Sequence, residues 1–493
     1  MNLNLCKYLW MVTTVTLWAT NLTFAQENLT FEEAESRTRT QSHVTKQSEF
    51  LKQEKEQELK AARGTFYPKI SLSGTYVYMP EDLHMDLTPV KDAITPLYKG
   101  LSKYGVFSAP PIPDDIVTAK ARKKLAEGLV AIEEGEWDKT LQKQQFASVN
   151  LNASLPLFTG GRLHAKRNAA KLDIEDAELE AETKNNQLTT ELVKRYFGLY
   201  LAKEMENITQ EVDEAMKKHL DYAEKMRERG ILAQAEVLHA KMHKAQAERN
   251  LMKAKRMSKI SNRALLTTLN DSSMRDITPI SKLFYLEHLP EITHFEQEAL
   301  ANNPSLKKIE SKKKLANIGV KVKNAGYMPT VIAMGTYKLW DYQVSEMVPD
   351  WTVGVGLSWT LFDGLARERE RKSAKLKLAQ VGEFQQKTEK DIITGIEKYY
   401  QEMLIALEEI HELVPARDFA EEYYRVRQKA FKEGMATSTD VVDANLARVK
   451  VKTERLKAAY RFDVALAKLL ELCGTSDQFI RYQTSTDAKT DLY

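Results

Sequence analysis

Two histidines, His239 and His243, stand four residues apart in a stretch of helical periodicity, so both imidazoles share one face at a spacing that can bind a metal ion. No third ligand lies nearby in the sequence, and no metal centre is expected from the pair alone. Glu236 and Asp440 follow Gly230 and Gly434 at points where a new helix should begin. A carboxylate there stabilises the helix dipole by ~0.3–1 kcal/mol. Other chemistry lacks its residues: there is no nucleophile elbow, P-loop, HExxH or paired-cysteine motif. The remaining Asp and Glu are scattered along charged helical faces. No catalytic residue and no cofactor are expected, and the chain does not read as an enzyme.

The elements around these residues follow from composition and repetition. Of 493 residues 43% are hydrophobic and 29% charged, with 20 Gly and 14 Pro. Gly and Pro together make about 7%, against a usual share of about 12%, which excludes a chain built mainly of short strands and hairpins. A net charge of +3 with interleaved signs gives no footprint for nucleic acid. The chain is also duplicated. Pro68-Lys-Ile-Ser-Leu-Ser-Gly-Thr-Tyr76 returns as Pro329-Thr-Val-Ile-Ala-Met-Gly-Thr-Tyr337, 261 residues later. Leu157-Phe-Thr-Gly160 returns as Leu361-Phe-Asp-Gly364, now 204 residues later, as do Gly230 as Gly434 and Glu236 as Asp440. The difference places 57 extra residues in the first half, between Tyr76 and Phe146.

Around 70–78, 147–157 and 351–361 apolar and polar residues alternate, the mark of strands with one apolar and one polar face. The fourth segment, 331–341, alternates least cleanly. Residues 160–229 and 366–432 instead show apolar residues every three or four, giving two coiled-coil helices of ~70 residues and ~100 Å. Pro415 predicts a kink near 411–415 in the second alone. Each long helix turns at Gly230 or Gly434 and returns, over 233–269 and 438–472, with Thr437 or Ser438 as N-cap of the second. Shorter helices are expected at 30–62, opened by Thr30, and at 292–324, interrupted at Asn302-Asn303-Pro304. The division is therefore 1–25, 26–66, 67–158 with an insertion at 80–145, 159–270, 271–328, 329–362, 363–474, and a polar, loose tail at 475–493. The insertion is Pro-rich at 109–113, with one amphipathic stretch at 116–133.

Residues 1–25 carry Lys7, an apolar stretch and Thr23-Phe24-Ala25, the order of an export signal cleaved after Ala25. Cleavage would leave Cys473 alone, without an internal disulfide. In an exported chain, two-faced strands resolve as a membrane barrel with lipid outside and water within. Four strands cannot close one, so several chains must contribute, and the helices continue the wall as a tube. A soluble, exported coiled-coil scaffold is the competing reading.

The whole mature chain resembles the TolC-like outer-membrane efflux proteins. The resemblance rests on Leu29-Thr-Phe-Glu-Glu-Ala34, Asn302-Asn-Pro-Ser-Leu306, Pro156-Leu-Phe-Thr-Gly-Gly-Arg162 and Gly434-Met-Ala-Thr-Ser-Thr-Asp440-Val-Val-Asp443-Ala444. It implies a mainly α fold with β: duplicated coiled-coil helices forming a periplasmic tunnel, and four strands per chain in a trimeric 12-strand outer-membrane barrel. It implies a homotrimer working with a periplasmic adaptor and an inner-membrane pump, exporting small molecules; protein secretion and metal export are the alternatives. By the same resemblance the tips, with Arg229, Gly230, Ile231, Gly434, Met435, Thr437 and Ser438, dock the adaptor. Asp440 and Asp443 match an acidic entrance pair. The first half keeps Glu236 but has His239 in the second acidic place. The Tyr and Arg of a known entrance latch are replaced by Phe431 and Ala436. The insertion is expected at the cell surface as a tolerated loop.

Overall fold

The computed structural model describes residues 27–108 and 114–491. The proposed export signal and the Pro-rich 109–113 lie outside them. The first series opens with β1 (Glu27–Leu29), α1 (Phe31–Gln41), α2 (His43–Gly64) and β2 (Lys69–Tyr78). An insertion of β3 (Leu83–Asp86), α3 (Thr88–Tyr104), α4 (Asp114–Glu134) and β4 (Asp138–Gln142) precedes β5 (Gln145–Phe158). A helical hairpin of α5 (Arg162–Glu228) and α6 (Gln234–Thr268) follows. The second series is β6 (Ile277–Pro279), β7 (Tyr285–Leu286), α7 (Ile292–Asn302), α8 (Pro304–Ala325), β8 (Thr330–Tyr342), β9 (Trp351–Ser358), α9 (Ala366–Lys432) and α10 (Ser438–Cys473). A 3-10 turn at Ser476–Gln478, α11 (Phe479–Gln483) and β10 (Ala488–Lys489) close the chain.

The duplication holds to the residue. Adding 261 to the bounds of α1 and α2 gives those of α7 and α8, and adding 204 to those of α5 gives α9. The helix expected over 30–62 is therefore two helices. Ser42 stands 261 residues before Asn303 and does the same work: its hydroxyl accepts the Val44 N–H at 3.1 Å, while Asn303 Oδ1 accepts the Ser305 N–H at 2.8 Å. Each side chain caps a new helix where the old one ends. Thr30 starts α1 with a reciprocal capping box to Glu33. α9 passes through Pro415 as one continuous helix.

The described residues form two units, residues 60–167 with 320–372, and the rest of the chain. The first unit holds an antiparallel sheet in the order β2-β5-β8-β9. Its register aligns one apolar face: Ile70 lies opposite Ala153, Leu72 opposite Leu151, Leu151 opposite Tyr337, and Tyr337 opposite Trp351. The other face is polar and tied across strands, Asn152 donating to Ser73 at 2.8 Å and accepting from Thr336 at 3.1 Å. The irregular alternation of 331–341 has a cause here. β5 meets β8 with a shift between Val149 and Asn150, whose partners are Trp340 and Lys338, leaving Leu339 as an extra residue. Beyond this bulge the apolar face passes from odd to even positions, so Trp340 and Tyr342 join Tyr337. β9 ends at Ser358, short of the expected 361, because the Arg367 guanidinium draws the Thr360 and Leu361 carbonyls into a turn at 2.7 and 3.1 Å. The insertion is more built than one amphipathic stretch: α3 packs on α4, and β3 pairs with β4 in a two-stranded ribbon.

The second unit is helical and cored by aromatics. The rings of Phe31, Phe197 and Phe479 pack with centroids within 6.0 Å of one another. The Tyr196 hydroxyl donates to the Leu29 carbonyl at 2.6 Å and accepts the Ser281 N–H at 3.0 Å. Leu456, Phe462, Leu466 and Leu470 of α10 and Ile396, Met403 and Ile410 of α9 extend this core. The tail is a correction. It was expected to be loose, but Phe479 is buried in the core and β10 pairs with β7, so residues 476–489 carry structure of their own. Burying Phe479 contributes about 1.5–3 kcal/mol toward holding the tail. Among the described residues no helix is long and apolar enough to cross a membrane.

Candidate functional site: the paired helix tips

Both hairpins turn by the same device. Gly230 and Gly434 adopt φ of +76° and +75°. The N–H groups of Gly230 and Ile231 reach the Arg227 and Met226 carbonyls, each at 2.9 Å. Those of Gly434 and Met435 reach Phe431 and Ala430 at 3.0 and 2.9 Å. This is a Schellman motif, which needs a left-handed residue after the helix and favours glycine there. The far ends of the return helices repeat it, with Asn270 at φ +56° and Gly474 at φ +76°, again 204 residues apart.

Thr437 is the N-cap of α10, as one of the two expected candidates. The Asp440 N–H donates to its hydroxyl at 3.2 Å, and the Thr437 N–H donates to Asp440 Oδ2 at 2.8 Å. The Thr437 backbone N–H, then its hydroxyl, holds the Asp440 carboxyl below the ordinary range. Asp440 therefore serves the helix as a capping carboxylate, whereas Asp443, one turn on, is exposed. Glu236 does not cap its own helix. Its Oε2 accepts the Ser438 N–H at 3.2 Å, so a carboxylate of the first hairpin caps the second.

Ser438, by contrast, is wholly buried. Its hydroxyl lies 2.6 Å from His219 Nε2 of α5. The His219 ring rests against Phe431, centroids 4.5 Å apart. Burial, then the charges of His239 and His243, pushes its pKa down to about 4, so it stays neutral. Phe431 belongs to an apolar plug with Ala223, Val237, Ala240 and Val441, against which Ala436 packs. The two latch replacements therefore lie in or against packing rather than making polar ties. His219 escaped the sequence reading. Its signal was position: it falls on the buried stripe with Met216 and Ala223, at spacings of three and four, where an apolar residue belongs.

Arg229, Gly230, Ile231, Gly434, Met435 and Thr437 are exposed around this plug, Ile231 by 61% and Met435 by 70%. His239 and His243 lie on α6 with Nε2 atoms 3.2 Å apart. Among the described residues no three His, Cys, Asp or Glu side chains are grouped as a metal centre. Nothing in the tips forms a reaction site; they offer apolar knobs on capped turns.

A two-faced antiparallel sheet and doubled helical hairpins of 67 and 35 residues or more are the parts expected of a membrane-inserted conduit. The sequence profile described as "Outer membrane efflux protein" matches residues 118–271 and 296–475, more than half of the chain, and the chain belongs to that family. It is accordingly a protein of the outer membrane that extends into the periplasm, in a family of efflux channels that act as conduits in tripartite systems. Among solved structures it is similar to the CmeC outer membrane channel of Campylobacter jejuni (14% identity, 92% of this chain and 89% of that one, TM-score 0.66). It is also similar to the outer membrane protein VceC of Vibrio cholerae (14%, 90% and 96%, 0.64). The open state of the Neisseria gonorrhoeae MtrE channel is a third (15%, 90% and 89%, 0.63). At these identities the likeness establishes the fold alone. No relative was found among curated proteins.

Proposed function

We propose that the protein is the exit duct of a tripartite export machine, a homotrimer that receives small molecules from an inner-membrane pump through a periplasmic adaptor. The observation that carries this is the sheet: apolar on one face, polar on the other, and, among the described residues, unpaired along the outer edges of both β2 and β9. Open edges cannot persist in lipid, since every backbone N–H and C=O needs a partner there. Three copies would join their edges into 12 strands, within the range of membrane barrels. The tips at 229–236 and 433–440 are then the docking end, with Ile231 and Met435 as apolar contacts for the adaptor and Asp440, Asp443 and Glu236 as the acidic residues of the entrance.

The test is in-cell photo-crosslinking from Ile231 and from Met435, followed by mass spectrometry. These positions are exposed and leave the Thr437 cap intact. Capture of a periplasmic adaptor is expected, and its pump partner separates small-molecule efflux from protein secretion. An assembled, membrane-inserted protein that captures no adaptor from either tip would overturn the docking role.

A further inference from the structure

Beyond docking, α6 carries a feature that transport does not use. We propose that His239 and His243 form an exchangeable site for a late first-row divalent transition-metal ion, with Cu(II) the tightest binder, beside the first-hairpin tip. The two Nε2 atoms stand 3.2 Å apart. Ligands at about 2.0–2.1 Å in a tetrahedral shell around zinc would be spaced at roughly 3.3 Å, so the pair needs little movement to chelate. As it stands the pair is an N–H···N hydrogen bond whose donor depends on the tautomer, and a metal ion would replace that proton. Imidazole suits Zn, Cu and Ni, and affinity peaks at Cu(II).

Asp443 of α10 stands 204 residues after His239, at the matching position of the second repeat. The nearby ammonium groups are already paired, Lys241 with Glu224 at 3.1 Å and Lys244 with Glu248. Both rings are partly exposed, so water completes the shell. His239 Nδ1 is buried without a hydrogen-bond partner, and so lacks the acceptor that usually braces a ligating histidine. The site is therefore weak and exchangeable, unlike a structural zinc. Chelation across one turn would clamp residues 239–243 immediately after Glu236, the residue that caps α10.

The experiment uses the full, tag-free chain in detergent after chelator treatment, titrated with Cu(II) by calorimetry and read by electron paramagnetic resonance. One ion per chain with hyperfine coupling to two imidazole nitrogens is expected. His239→Gln and His243→Gln should each weaken binding at least tenfold, and His288→Gln should not. Equal affinity in the double variant overturns the proposal. Zn(II) should also slow amide exchange at 236–246 in the unmodified protein, a readout that needs no variant; unchanged exchange there overturns it as well. Neither readout involves an adaptor, so failure here leaves the docking reading standing.

Discussion

His219 shows how one side chain can decide the behaviour of a tip. It is 6% exposed, neutral, 2.6 Å from the Ser438 hydroxyl and packed on Phe431. An unfolded histidine titrates near 6.5, and burial with the His239 and His243 charges takes this one to about 4. Between those values the locally unfolded tip binds a proton that the packed tip refuses, so the packing is fully stable above about pH 6.5 and weakens as pH falls toward 4. The full difference is about 3 kcal/mol. Amide exchange at 438–445, followed from pH 7 to pH 5 in the presence of chelator, should accelerate with acid. His219→Gln should flatten that dependence. An acid response unchanged in the variant would place the sensor elsewhere.

At the scale of elements, most of the plan was legible because duplication printed it twice. The long helices, their return partners, the Thr437 cap and the break at Asn303 could all be read from periodicity and offset. The break at Ser42 was present in the same offset, since 42 and 303 differ by 261, but serine is a weaker breaker than Asn-Asn-Pro and hid the match. The parity change at Leu339 was visible only as a blurred alternation, because a bulge declares itself through its partner strand. Phe479 looked like one aromatic in a polar tail, and its buried place depends on Phe31 and Phe197, more than 280 residues away in sequence. At the tips, turns and caps were local and readable. The His219–Ser438 and Glu236–Ser438 ties join different helices and were not. The bulge supports a sharp prediction. Deleting Leu339 alone should remove the bulge and keep Trp340 and Tyr342 on the apolar face, in regular alternation with Tyr337, whereas deleting Lys338 and Leu339 together should turn both to the polar face. Loss of the heat-modifiable oligomer on gels is expected for the double deletion only.

For the whole molecule, the proposed barrel turns on the open edges of the sheet. Polar-face residues Ser71, Ser73 and Thr75 of β2 and Thr352, Gly354 and Gly356 of β9 line those edges. Pairs of cysteines scanned between the two sets should, in one register, give covalent dimers and trimers on a denaturing gel after oxidation. Monomers from every pair would contradict edge-to-edge closure. The native Cys473 is buried with its thiol pushed up to about 12, so it should add no background.

The cap that Glu236 lends to Ser438 also bears on how such proteins can be recombined. The hairpins look like interchangeable modules, with long helices of equal length and turned by the same motif. Yet the second helix starts on a carboxylate owned by the first, and the serine at that start fills a space shaped by His219. Swapping one hairpin alone would leave an uncapped N–H on one side and a buried imidazole facing a stranger on the other. The inheritable unit is the pair, with residues 219, 236 and 438 travelling together as a single allele.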